Sequence, residues 1–276
     1  MHPFPLSFLL FLYQLALGGL LALAATPFHE LERGFYKSTA GVLFVAAFLS
    51  FLGKANLYLT SRSEVIKAGA SVDIVFHFLF LLLFALYLFS LWKERVYLRA
   101  RAFSFSLLFG LAGLALSSHA FRQTPWWSFE TLLYPVSFLL SALLLGGVTV
   151  GMLIGHWYLI DTGQSIEPFV RIFKFFVFCL IAQTAYFLAL PLSLVLVGNA
   201  ETLSGLERLW GDHFFLLSAR VIIGQVAPLG LSFMIWRTLK IPHTMAATGL
   251  FYIALLGVFV GEILGKQILA LTSLPF

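Results

Sequence analysis

The sequence predicts an all-α integral membrane protein with eight transmembrane helices, and three observations predict it. Of the 276 residues, 61% are hydrophobic and only 11% charged, too few charges to give a domain of this size a water-facing surface. The apolar residues fall in runs long enough for helices that cross a bilayer, at about 20 residues each. The runs are separated by short polar stretches, which leaves no soluble domain or long linker, and no low-complexity tract interrupts them.

The spans are expected near 4–25, 40–60, 72–92, 103–118, 129–157, 170–197, 213–236 and 246–271. The first ends in Ala22-Leu23-Ala24-Ala25, which looks like a signal-peptide cleavage site. Met1 to Ser7 lacks Lys and Arg, however, so the segment is expected to stay as a helix. The second carries Ser50, Lys54, Tyr58 and Ser61 on one stripe, and the third opens with Asp73 and His77, an i,i+4 pair on one face. The fourth carries no Asp, Glu, Lys or Arg. The fifth follows Trp126-Trp127, whose rings suit headgroup depth. The sixth holds Cys179, the chain's lone cysteine. One thiolate cannot hold an iron–sulfur cluster or a structural zinc, so Cys179 is read as a small buried hydrophobe. The seventh brings His213, Ser218 and Arg220, and the eighth Glu262 and Lys266, again i,i+4.

A net charge of +5 does not point to nucleic acid, because Lys and Arg lie mainly between the spans, as membrane topology requires. Ten fall in or beside the connections after the first, third, fifth and seventh spans, against four in the others. The first group is therefore expected to face the cytoplasm, with both termini outside the cytoplasmic (inner) membrane. Leu15-Ala16-Leu17-Gly18-Gly19 is echoed by Leu143-Leu144-Leu145-Gly146-Gly147, about half a chain later. The echo suggests two four-helix halves, 1–118 and 119–276, related by a parallel repeat within one transmembrane domain. Glycine pairs also permit close helix contact without any repeat.

Charges in hydrocarbon cost several kcal/mol or more unless paired or hydrated. Threaded by depth, Lys54, Asp73, His77, Arg220, Glu262 and Lys266 all fall in the outer half, which predicts one polar site at one face. Lys54 should meet Asp73 across the second hairpin, and Arg220 should pair with Glu262, either as a structural ion pair or, with Lys266, for proton transfer. A quinone headgroup needs a hydrogen-bond donor at each carbonyl and a titratable group that exchanges protons with water. Lys54, Asp73, His77 and Tyr58 are the candidate quinone-binding residues: His77 or Asp73 to exchange the proton, Lys54 to donate to a carbonyl oxygen. The chain is thus read as a non-catalytic or quinone-site subunit of an oxidoreductase complex.

Thr124-Pro125-Trp126, Tyr134-Pro135-Val136-Ser137-Phe138 and Leu145-Gly146-Gly147 together resemble the membrane anchor subunit of dimethyl sulfoxide reductase. That family belongs with the quinol-interacting membrane subunits of polysulfide and formate-dependent nitrite reductases. Gln14, Gly18-Gly19, Ser61-Arg62-Ser63-Glu64, Arg220 and Gly261-Glu262-Ile263-Leu264-Gly265-Lys266 extend the match, in common order, over nearly the whole chain. The resemblance implies a subunit that carries no haem or iron–sulfur cluster itself. It also implies two partners, an iron–sulfur electron-transfer subunit and a catalytic subunit, commonly molybdenum-containing, and electron exchange with menaquinone or ubiquinone. Docking is expected on the outer loops 61–71, 119–128 and 198–212.

The chain also departs from the family. Phe51-Leu52-Gly53 stands where the family carries His-Leu-Gly, so Phe51 occupies the place of the quinol-site histidine, and either Lys54 or His77 takes over its proton work or the site is altered or lost. Gly155-His156-Trp157-Tyr158-Leu159-Ile160-Asp161 has no family counterpart and reads as an interfacial aromatic belt or a proton entry. Two rival readings remain open. In a b-type cytochrome, two of His77, His119 and His213 would ligate haem. In a secondary transporter, Pro191 and Pro228 would break helices beside buried charges.

Overall fold

In the computed structural model the expected crossings are all helices, most of them longer than their apolar runs. The structure describes residues 4–26, 28, 30–60, 64–92, 95–121, 130–161, 163 and 165–276, leaving aside the side chains of 64–71 and 130. Its elements are α1 Phe4–Ala24, α2 Arg33–Thr60, α3 Glu64–Ser90, α4 Val96–His119, α5 Glu130–Ile160, α6 Glu167–Val197, α7 Ala200–Gly211, α8 Phe214–Val221, a π-helical turn Ile222–Val226, α9 Ala227–Lys240 and α10 Thr244–Thr272. Among the described residues there is no strand, and eight helical spans are long and apolar enough to cross a membrane, with α8, the π turn and α9 forming one of them. The additional turns of α2, α3 and α4 are their polar first turns, because helical hydrogen bonding continues through the headgroup layer beyond the hydrocarbon.

The segment 198–212, expected as a loop, is mostly the helix α7. Asn199 caps it, its Oδ1 accepting from the Thr202 backbone N–H at 2.8 Å. Thr202, Gly205, Leu206 and Leu209 form its buried face, at helical spacing. Too short and too polar to cross, α7 packs on α6, α8 and α10.

α1 and α5 form the centre. In their apolar cores 67% and 72% of the residues are buried, against 22–39% in the other spans. α1 packs on α2, α4, α5 and α10, and α5 on α4, α6 and α10 as well. One glycine of each glycine pair lies at this crossing, while Gly19 faces Leu43 of α2 and Gly147 faces Phe175 and Phe176 of α6. A Cβ at Gly18 would stand 1.7 Å from the Ala142 carbonyl oxygen, and one at Gly146 would stand 1.9 Å from the Gly18 carbonyl group. Only glycine lets the two backbones touch here.

The π turn also has a sequence cause. Pro228 has no N–H to return to the Gly224 carbonyl, and the helix widens just before it, with the Ala227 N–H reaching back to the Ile222 carbonyl. Opposite, Gly261 of α10 approaches so closely that a Cβ there would lie 2.3 Å from the Gly224 Cα.

The two ends of the bundle differ in charge. At one end Arg171 pairs with Glu30 at 2.6 Å, Arg99 lies 3.6 Å over the Phe28 ring and Lys37 lies 5.4 Å over Trp92. These contacts tie together the connections after α1, α3 and α5, three of the four expected to carry the basic residues. At the other end residues 273–276 fold back and are buried, with Tyr134 Oη donating to the Ser273 carbonyl at 2.7 Å and Ser137 Oγ to the Pro275 carbonyl at 2.7 Å.

Candidate functional site

The buried charges form two clusters instead of the single site expected from depth alone, and their hydrogen-bond partners do not overlap. Depth fixes position along the membrane normal but not around the bundle, and α1 stands between the two sets.

The first cluster joins α2, α3 and α4. Lys54 forms an ion pair with the Asp73 carboxylate, donates to Ser117 Oγ at 3.0 Å and lies 3.2 Å from His77 Nε2. Ser117 Oγ donates to Asp73 Oδ1 at 3.0 Å. His77 Nδ1 faces both the Asp73 carbonyl at 2.9 Å and the carboxylate at 3.1 Å, so the network assigns the ring proton to Nδ1. Nε2 then accepts from the Lys54 ammonium. All three ammonium protons have acceptors, and one cation balances one anion. Both ring nitrogens of His77 are engaged inside the cluster. The Tyr13 ring of α1 covers the imidazole, with centroids 4.0 Å apart, and its hydroxyl donates to the Gly110 carbonyl at 2.9 Å.

A small pocket opens beside this cluster. Lined by Ser50, Lys54, Asp73, His77 and Ser117 and closed by Leu6, Leu9 and Leu10 of α1, it holds about 20 Å³, room for one water. Tyr58, expected in the site, lies one turn beyond Lys54, is half-buried and does not line it. Phe51 is also half-buried and packs on Phe78, with ring centroids 5.7 Å apart. Ser117 was missed by sequence reasoning, because a serine in an apolar helix carries no charge to single it out.

The second cluster joins α5, α6, α8, the π turn and α10. Arg220 Nη2 donates to Glu262 Oε1 at 2.7 Å, and Lys266 Nζ lies 3.5 Å from Oε2. Gln183 Nε2 donates to the same Oε1 at 2.8 Å and reaches Ser141 Oγ at 3.2 Å. Gln225 Nε2 donates in turn to Gln183 Oε1 at 2.8 Å, and Thr184 Oγ1 to Gln225 Oε1 at 2.7 Å. Arg220, Glu262 and Lys266 are 1%, 1% and 3% exposed, so no solvent screens them. Two cations here meet one carboxylate. The surplus is offset in part by rings, the guanidinium lying 4.7 Å over Phe187 and the ammonium 5.6 Å over Phe138. Gln183 and Gln225 were not singled out in the sequence.

The remaining expected residues are apart from both clusters. His119 ends α4 and His213 precedes α8, each half-buried. Gln14 donates to the Phe138 carbonyl at 2.9 Å, inside the α1–α5 interface. His156 meets the Tyr252 hydroxyl at 2.9 Å, Trp157 packs on Phe35, and Tyr158 donates to the Ser165 carbonyl and stacks on Phe169, so this segment makes aromatic contacts where α5 ends. Thr124-Pro125-Trp126, Ser61-Arg62-Ser63 and much of the expected docking loops 61–71 and 119–128 lie outside the described residues. Cys179 is buried and unbridged.

Fold and site together define a multi-pass helical membrane protein with two separate buried ionic clusters. Comparison of the chain with protein-family models, with curated proteins and with solved structures gives no match.

Proposed function

We propose that the chain is the quinol-interacting membrane subunit of a respiratory oxidoreductase in the inner membrane, akin to the anchor of dimethyl sulfoxide reductase. The observation that carries this reading is the Lys54–Asp73–His77–Ser117 cluster: donors and a titratable ring from three helices, beside a pocket that admits water. The ordered sequence motifs support it independently.

A quinone fits this site by chemistry but not by size. Lys54 and Ser117 carry the kind of donor its carbonyl oxygens require, but each must first give up a partner inside the cluster, and about 20 Å³ is too small for a ring. The headgroup therefore enters only if the pocket lined by Leu6, Leu9, Leu10, Ala120 and Phe121 widens. When bound, a quinone would exchange two electrons and two protons. For its part, the protein contributes Lys54 as donor, His77 as the group that holds or releases a proton at Nε2, and Asp73 as the anion that keeps both oriented. Phe51 takes no part in proton transfer.

The two clusters support two four-helix halves related by a parallel repeat, since one lies among α2, α3 and α4 and the other among α5, α6, α8, the π turn and α10. In this reading the second cluster fixes helix register, and the partners, an iron–sulfur subunit and a catalytic subunit commonly containing molybdenum, dock on the outer face nearer both clusters.

The test begins with a tagged chain purified gently from its own membranes, which is expected to bring down an iron–sulfur protein. In that complex Lys54→Ala or His77→Ala should slow quinol-linked turnover by about 10²-fold, with the complex intact. Wild-type turnover in both variants would remove the site, and recovery of a solitary subunit would remove the anchor assignment.

A further inference from the structure

A second recess lies on the bundle's lipid-facing side, between α6 and α9, and runs along α6 from Val170 to Ile181, two residues short of Gln183 in the second cluster. Its volume is about 500 Å³, within the ~300–1,000 Å³ of small-molecule sites. Phe173, Val177, Ile181 and Trp236 line its apolar length, and two cations, Lys174 and Lys240, stand at it. Lys174 lies in the second turn of α6 and Lys240 ends α9, so both sit at the connections where Lys and Arg concentrate, at headgroup depth. Lys240 is held in place, its ammonium 3.7 Å over the Trp236 ring. Neither lysine meets a carboxylate among the described residues.

We propose that this groove binds an anionic phospholipid, its acyl chain along α6 and its phosphate between Lys174 and Lys240. An apolar trough within the span of the bilayer is filled by a hydrocarbon chain in any membrane. What makes this one selective is the pair of cations at its end that no carboxylate neutralises, which favours a negative headgroup; basic pockets between helices at this depth favour such lipids. A quinone would fill the trough equally well but leaves both ammonium groups without an anion.

Native mass spectrometry of the purified full chain, exchanged in turn against phosphatidylglycerol, phosphatidylcholine and a long-chain quinone, tests the proposal. The wild-type protein should retain phosphatidylglycerol selectively, and Lys174→Gln with Lys240→Gln should weaken that retention about ten- to thirty-fold. An unchanged size-exclusion profile establishes that the double variant is folded; if it is not, Lys174→Gln alone is expected to give a several-fold loss. Equal retention of phosphatidylcholine or quinone, or undiminished phosphatidylglycerol in a folded variant, would overturn the assignment.

Discussion

Glu262 is the only carboxylate shared by the two cations of the second cluster among the described residues. One of its oxygens accepts from Arg220 and Gln183 while the other faces Lys266. Removing it strands two cations in a dry interior, and breaking a buried pair costs about 3–5 kcal/mol. Glu262→Leu is therefore expected to lower the melting temperature in detergent and deplete the protein from membranes. Arg220→Leu in the same chain should restore only part of the loss, because Lys266 remains unpaired, and Lys266→Met added to both should restore more. A single Glu262→Leu variant that melts with wild type would refute this account. The first cluster is the electrostatic opposite, balanced in charge and complete in hydrogen bonds. Its charged members were legible from the sequence through hairpin geometry and i,i+4 spacing. Ser117, Ser141, Gln183 and Gln225 were not, because an uncharged polar residue in a long apolar run declares its role only when a neighbouring helix brings it a partner.

At the level of elements, hydrophobic run length located all eight crossings. It missed α7, which no crossing-length signal reports, although Asn199 followed by Leu203, Leu206 and Leu209 carries the mark of a capped amphipathic helix. The π turn left a fainter trace, Pro228 four residues beyond Gly224. The glycine echo was legible as a motif, and among the described glycines the closest approach of an added Cβ is at Gly18, 1.7 Å from the Ala142 carbonyl oxygen. Gly146→Leu is expected to force α1 and α5 apart and destabilise the protein by about 1–3 kcal/mol or more. Gly41→Ala and Gly249→Ala, where an added Cβ meets nothing within 4 Å, should leave thermal stability close to wild type. Equal melting of all three variants would show that the crossing does not govern stability.

For the whole molecule, the even number of crossings and the clustering of basic residues at one end make a prediction about orientation. The basic end should face the cytoplasm, so a reporter fused after Phe276 should be active only when it functions outside. Alkaline phosphatase in that position should be active and a fluorescent protein dark; the reverse result inverts the molecule and moves both ionic clusters to the cytoplasmic half. Sequence order could give depth in this way, but not azimuth. One polar site was expected, and two exist, because which helices stand side by side depends on contacts between residues more than a hundred positions apart, such as Gln14 with Phe138.

The central position of α1 bears on how the protein is made. Its notch at Gly18 closes only against Gly146, a stretch of chain that a ribosome takes roughly 6–25 s to deliver. Throughout that wait the Gly18 notch and the Gln14 amide of α1 lack their α5 partners, so the central crossing of the bundle can close only after α5 has entered the membrane.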